Sequence, residues 1–246
     1  MRKFAEITWK ASVFLLFLTL PLRAEWRFEA YLGKASTSNA DLKVEQPSRQ
    51  NDLLFHNVEY TDRSFHTPLY YGLRGGYFVS PHSNFGFEVE FVHAKLYSNS
   101  QQEVYVSGIR EGESIDSTVR LGEIVQNFSM SHGLNFLFFN LVGRLGFFRN
   151  KDNQTDKVGL YSRLGIGPLI PHTESVIDRE RKEQYEFHGP AYQLAAGIEI
   201  NILEKLLLLL EYKFTYVSVK NAKVAYGHAE NDIRTRHLVF GVGRKF

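Results

Sequence analysis

Histidine is the residue with which this chain is best equipped for chemistry: it has nine, and no cysteine. The absence of cysteine excludes a thiol nucleophile, a thiolate metal ligand and any disulfide. Three histidines stand in short clusters that interrupt apolar alternation: His93-Ala94-Lys95-Leu96-Tyr97, Ser131-His132-Gly133-Leu134-Asn135 and Pro171-His172-Thr173-Glu174. A two-residue turn at Asp152-Asn153 makes Phe128 to Glu174 one long hairpin. Residues whose numbers sum to 304 then face each other, and His132 sits opposite His172. Imidazoles gathered from neighbouring strands beside a carboxylate suit Zn²⁺ or a redox metal such as iron or copper, and they also suit general-base work. Packing at a membrane interface produces the same pair, so the elements that carry the histidines have to decide.

Those elements read at period two. Trp26, Phe28, Ala30 and Leu32 alternate with Arg27 and Glu29, and Leu69, Tyr71, Leu73, Tyr77 and Val79 alternate with Gly72, Arg74 and Gly76. The third strand sets Phe85, Phe87, Val89 and Phe91 against Glu88 and Glu90, and its oily parity continues through His93, Lys95 and Tyr97. The fourth begins near Asn127 with Phe128, Met130, Leu134, Phe136 and Phe138 in one phase. Below Asn140 the phase changes to Leu141, Leu145 and Phe147, as a bulge or a strand running past the membrane requires. The last four strands are Val158 to Ile166, Tyr192 to Ile200, Leu206 to Tyr216 and Leu238 to Phe246. The segments leading to His66, through Arg110-Glu111-Gly112-Glu113 and over Asp178 to Glu183 read as long polar loops.

Alternation alone fits a sandwich as well as a barrel, and the charges choose between them. Glu29, Arg74, Glu88, Glu90, Arg163, Glu199, Glu211 and Lys213 share the minority face. A soluble core does not hold so many ions, whereas the lumen of a small membrane barrel does. The reading is all-β: an eight-stranded antiparallel transmembrane β-barrel over residues 25–246, in the cell outer membrane, as a monomer. Aromatic strand ends (Trp26, Tyr97, Tyr216, Phe246) form the interfacial girdles. The lumen charges form an interior salt-bridge plug, with His237 among them, in a barrel too narrow for a water-filled pore. Ahead of the barrel, the basic start (Arg2, Lys3, Lys10), the apolar run Ala11 to Leu22 and Ala24 make a signal peptide over residues 1–24. That segment holds four of the 29 basic and one of the 27 acidic residues, leaving the rest at a net charge of −1, with no electrostatic case for nucleic acid.

On this reading His93, His132 and His172 carry the lipid-facing parity on three consecutive strands, just beyond the oily band. Glu174 shares the face of His172. The expected constellation is His132, His172 and Glu174 as catalytic groups and His93, His132, His172 and Glu174 as metal ligands. Lys95 and Tyr97 either hold a substrate headgroup or anchor the interface. His56, His66, His82, His188 and His228 read as solvated loop or turn residues. Ser131 adjoins His132, but consecutive strand residues point to opposite sides. This places Ser131 in the lumen and disfavours a serine-based lipid deacylase.

At these clusters, together with Gly189-Pro190-Ala191 and Glu211-Tyr212-Lys213, the chain resembles the outer-membrane lipid A oxidase family over most of the barrel. The resemblance implies oxidation of the proximal glucosamine of lipid A to 2-aminogluconate, with O₂ as oxidant and lipopolysaccharide as partner. The divalent or redox metal comes from the residues, since the resemblance does not fix it. No nicotinamide or flavin fingerprint occurs. The alternatives are a structural or adhesive barrel whose histidines are interfacial and, more weakly, a lipid A deacylase.

Overall fold

The computed structural model describes residues 24–149 and 156–246. The features of the signal segment over residues 1–23 and the Asp152-Asn153 turn lie outside the described residues. In chain order the strands are β1 (Glu25–Thr37), β2 (Ala40–Gln46), β3 (Asn51–Val58), β4 (Tyr60–Thr61), β5 (Tyr71–Phe78), β6 (Phe85–Ser98) and β7 (Glu103–Arg110). They continue with β8 (Glu113–Arg120), β9 (Val125–Arg149), β10 (Asp156–Ile177), β11 (Glu180–Tyr185), β12 (His188–Asn201), β13 (Leu206–Val224) and β14 (Gly227–Lys245). One helical turn, α1 (Leu121–Ile124), precedes β9.

Eight strands close a ring in the order β1-β5-β6-β9-β10-β12-β13-β14, and β14 returns antiparallel to β1 from Arg27↔Lys245 to Thr37↔Thr235. Each is the strand expected from alternation, and closure leaves the membrane wall no unpaired edge. The outer face carries the apolar set, with Phe28, Leu32, Phe85, Phe87, Leu164, Leu194, Leu238 and Phe240 all exposed. A soluble protein would not leave this belt in water, and lipid is its solvent. The chain resides in the outer membrane, with the short turns and the β1 and β14 ends on the periplasmic side and the long extensions outside.

Inside, the wall meets two different fillings. The lower one is ionic. Arg74 bridges Glu29 at 2.8 Å, Glu90 at 2.7 Å and Glu211 at 3.0 Å. Arg163 holds Glu88 at 2.5 Å and also pairs with Glu211, Lys213 pairs with Glu90, and Arg27 holds Glu199 at 2.7 Å. All are buried, and Gln193 and Asn140 donate further hydrogen bonds to Glu90. This is the salt-bridge plug that the shared parity predicts. Charges taken out of water persist only when paired, and each of these has at least one opposite charge beside it. Below the plug a cavity of about 640 Å³ opens at the periplasmic end, lined in part by Glu25, Arg144 and Lys245.

The upper filling is apolar and corrects the expected phase of the fourth strand. Phe128, Met130, Leu134, Phe136 and Phe138 are buried inside, while Phe139, Leu141, Leu145 and Phe147 face outward. The register agrees: β9 and β10 pair with residue numbers summing to 305, as in Asp156↔Arg149 and Leu169↔Phe136, not 304. The physical reason is that the upper lumen is a hydrophobic core, so its wall alternates in the same manner as a lipid-facing wall. The strand does run past the membrane.

The partners of that core come from segments expected to be polar loops. Leu42 and Val44 of β2, Leu53 and Phe55 of β3 and Val104 and Val106 of β7 point inward against Val217, Val219 and Ile233. β2 pairs with the outer end of β14, and the sheet continues as β2-β3-β7-β8. Each buried side chain of this size contributes about 2 kcal/mol, enough to order segments that are polar on average. Asp178-Arg179, expected within a loop, is instead the two-residue turn of a hairpin, both residues having positive φ between Ile177 and Glu180.

Candidate functional site

The histidine clusters lie where the apolar belt ends on β9 and β10. From Phe85 to Ala94 strand β6 pairs with β9 in one register, Ala94 facing Leu134; the next pair is Leu96↔Met130. One residue of β6, Lys95, thus spans three of β9: Ser131, His132 and Gly133. On the other side β10 passes from Pro171↔Leu134 to Glu174↔Ser129. β9 therefore carries two extra residues relative to both neighbours, a bulge at Ser131-His132-Gly133. Gly133 has φ +142°, which a side chain rarely adopts.

The bulge re-aims the strand. Met130 and Leu134 are both buried, and an even-numbered residue between them in a regular strand would be buried too. His132 is exposed instead. It meets His172 edge to face, with ring centroids 5.0 Å apart and planes at 86°. His172 follows Ile170 on the outer face of β10 and lies 4.4 Å from the ring of Tyr185 on β11. Its Nδ1 is buried with no hydrogen-bond partner. Ile170, Tyr185 and Phe187 leave apolar surface exposed beside the pair.

Ser131 is brought to the same place, which corrects its expected position in the lumen. Its Oγ lies 3.1 Å from His132 Nδ1 and donates to Glu174 Oε2 at 3.2 Å. The rule of opposite sides holds for a pleated strand and fails in a bulge. A hydroxyl has one proton, so when Ser131 donates to Glu174 the Nδ1–H of His132 donates to Ser131. Glu174 Oε1 also pairs with Arg181 across the β10–β11 hairpin at 3.0 Å. Ser131, His132, His172 and Glu174 thus form one hydrogen-bonded and ring-packed patch at the lipid boundary, with a carboxylate and an imidazole able to move a proton.

The other expected members stand apart. His93 Nδ1 donates to Asn135 Oδ1 at 2.7 Å, and its ring stacks on Tyr71 at 5.1 Å. Lys95 is buried, its ammonium donating to the His66 carbonyl at 2.6 Å, so it is engaged by its own chain. Tyr97 packs under the Arg63 guanidinium at 4.3 Å. Among the described residues no group of three or more His, Asp or Glu side chains is arranged to hold a metal ion. His93 Nε2 is buried without a partner, but it does not join His132 and His172 in such a group. The residues present do not fit the expected metal. Of the histidines expected in loops or turns, His56 bonds Ser107 at 3.0 Å and His228 pairs with Glu45 at 3.2 Å; both belong to extracellular strand pairings. His188 is also buried at the start of β12. His237 is in the lumen as expected, on Thr215 at 2.9 Å.

The family model described as outer membrane protein beta-barrel domain matches residues 11–246. No curated protein sequence matches the chain. Several solved structures resemble it. Neisserial surface protein A is 10% identical, with 91% of this chain and 97% of that one covered and a TM-score of 0.45. Ail, the attachment invasion locus protein of Yersinia pestis, is 13% identical over 92% and 100%, with a TM-score of 0.39. The outer membrane protein AlkL in lipid bilayers is 12% identical over 91% and 90%, with a TM-score of 0.40.

Proposed function

The chain belongs to the outer membrane protein beta-barrel family, and from that premise we propose that it modifies lipid A in the outer leaflet, as an oxidase converting the proximal glucosamine to 2-aminogluconate. The observation that supports this reading is the histidine pair, re-aimed by the bulge to the outer face at the top of the apolar belt. A substrate that cannot leave the membrane reaches such a site sideways, its acyl chains against Ile170 and Phe187 and its sugar level with His132 and His172. The net reaction takes two electrons and two hydrogens from C1 and its free hydroxyl. O₂ accepts them as hydrogen peroxide, and water opens the lactone to the acid. In this reading His132 and Glu174, both within hydrogen-bond reach of Ser131, receive the hydroxyl proton.

The contact between Ser131 and His132 favours a second reading, hydrolysis of a lipid A acyl ester. One experiment separates the readings: mass spectrometry of 1-dephosphorylated lipid A from cells with and without the protein. One added oxygen supports the oxidase and loss of an acyl chain supports the hydrolase. An unchanged lipid A overturns both and turns attention to an adhesive role for the folded β2-β3-β7-β8 extension.

A further inference from the structure

On the wall diametrically opposite the histidine pair, where β13, β14 and β1 meet, three cations crown the apolar belt. Leu32 pairs with Phe240, and Lys34 pairs with Leu238, at the top of the belt. One rung further out Arg236 faces Ser36 on one side and Phe214 on the other, and Arg234 faces Tyr216. Lys34, Ser36, Arg234 and Arg236 are all exposed and lie on the outer face. Diagonal neighbours across an antiparallel pair and alternate residues along a strand are both roughly 7 Å apart, so Arg236 stands between Lys34 and Arg234, which are themselves roughly 14 Å apart, and the long side chains of both extend toward its rung.

None of them has a carboxylate partner among the described residues. Arg234 has a ring contact with Tyr216, 5.8 Å from its centroid, and Asp232, two residues further out on that face, forms no ion pair with it. Elsewhere on the extracellular side basic residues do find acids, as Arg110 finds Asp178 and Arg49 finds Glu180. A repulsive cluster left unpaired directly above hydrocarbon matches an anion that stands on hydrocarbon. Guanidinium groups also suit the planar, bidentate recognition of phosphate. We propose that Lys34, Arg234 and Arg236, with the Ser36 hydroxyl between them, form a docking site for the phosphate of an outer-leaflet lipid. It is separate from the histidine patch and does not rest on the function assigned to that patch. The lipid's acyl chains would lie on Leu32, Phe214, Leu238 and Phe240.

The test uses the full-length barrel in phosphatidylcholine nanodiscs, with either bisphosphorylated lipid A or the same lipid with both phosphates removed, and counts retained lipids by native mass spectrometry. The wild type is expected to retain the phosphorylated form in preference by roughly tenfold or more. The triple variant Lys34→Ser, Arg234→Ser, Arg236→Ser loses that preference, and the double variant Arg234→Lys, Arg236→Lys keeps part of it. Arg120→Ser, at an exposed arginine of β8 outside both sites, leaves it unchanged. Equal retention of the two lipids by the wild type overturns the proposal, as does an undiminished preference in the triple variant.

Discussion

Ser131 Oγ lies 3.1 Å from His132 Nδ1 although the two residues are consecutive in a strand. Only the two-residue bulge in β9 permits this, and the same bulge sets His132 against His172. The contact therefore reports on the bulge, and the bulge on the site.

Gly133 is where the bulge is weakest to substitution. At φ +142° an added Cβ would also fall 2.2 Å from the Asn135 side chain. Gly133→Ala is expected to cost about 1–2 kcal/mol and to separate the imidazoles. Lipid A modification should fall sharply while the folded barrel still shows heat-modifiable migration on a gel. Unchanged modification would mean that the bulge does not organise the site.

Replacing either imidazole tests chemistry against packing. His132 is exposed and His172 partly so. His132→Ala and His172→Ala should change stability by no more than about 0.5–1 kcal/mol in urea unfolding from vesicles. Each should abolish the change in lipid A mass.

Ser131→Ala distinguishes the two reactions. As a nucleophile its loss removes ester cleavage by about three orders of magnitude or more. As a hydrogen-bonding neighbour of His132 and Glu174 its loss leaves oxidation within roughly tenfold. The rate of appearance of each product, followed by mass spectrometry, reads the difference.

The ionic filling makes a stability prediction. Arg163 is buried against Glu88, Glu211 and, at 3.3 Å, Glu29. Arg163→Met strands carboxylates out of water and should cost about 3–5 kcal/mol in urea unfolding.

The extracellular hairpin of β2 and β3 should respond to acid. Glu45 accepts a hydrogen bond from the Lys43 ammonium, which holds its carboxyl below the ordinary value of 4.5. A carboxyl lowered in the fold contributes fully above its unfolded value and loses that contribution as pH falls through the folded one. Protection factors of the β2 and β3 amides, corrected for the intrinsic exchange rate at each pH, should therefore fall slightly as pH drops below about 4.5, and Glu45→Gln should flatten that response.

The membrane part of the fold was legible because lipid outside and ions inside give opposite chemistry to alternate residues, as along Phe85 to Glu90. The upper part was not, because Phe128, Met130 and Leu134 face hydrocarbon supplied by their own chain and alternate as they would against lipid. Leu42, Val44, Leu53 and Phe55 were hidden for a related reason: each pair is too short to stand out among polar neighbours. The 304 register that pairs His132 with His172 is off by one for β9 and β10 below the bulge, and the bulge makes good the difference. Its signal was present in the sequence, since Met130 and Leu134 are apolar on either side of three residues that end in glycine, the pattern of an insertion in a strand.

The stacked ionic and apolar fillings of the lumen have one last consequence, for kinetics. Among the described residues the lumen is filled by ion pairs and apolar side chains, so in the proposed reaction the histidine patch is supplied from the plane of the leaflet and its encounters are set by how many substrate molecules share each unit of surface. Turnover in the proposed reaction should be indifferent to diluting the vesicles in buffer and should fall when lipid A is diluted within them by phosphatidylcholine, as for chemistry confined to two dimensions.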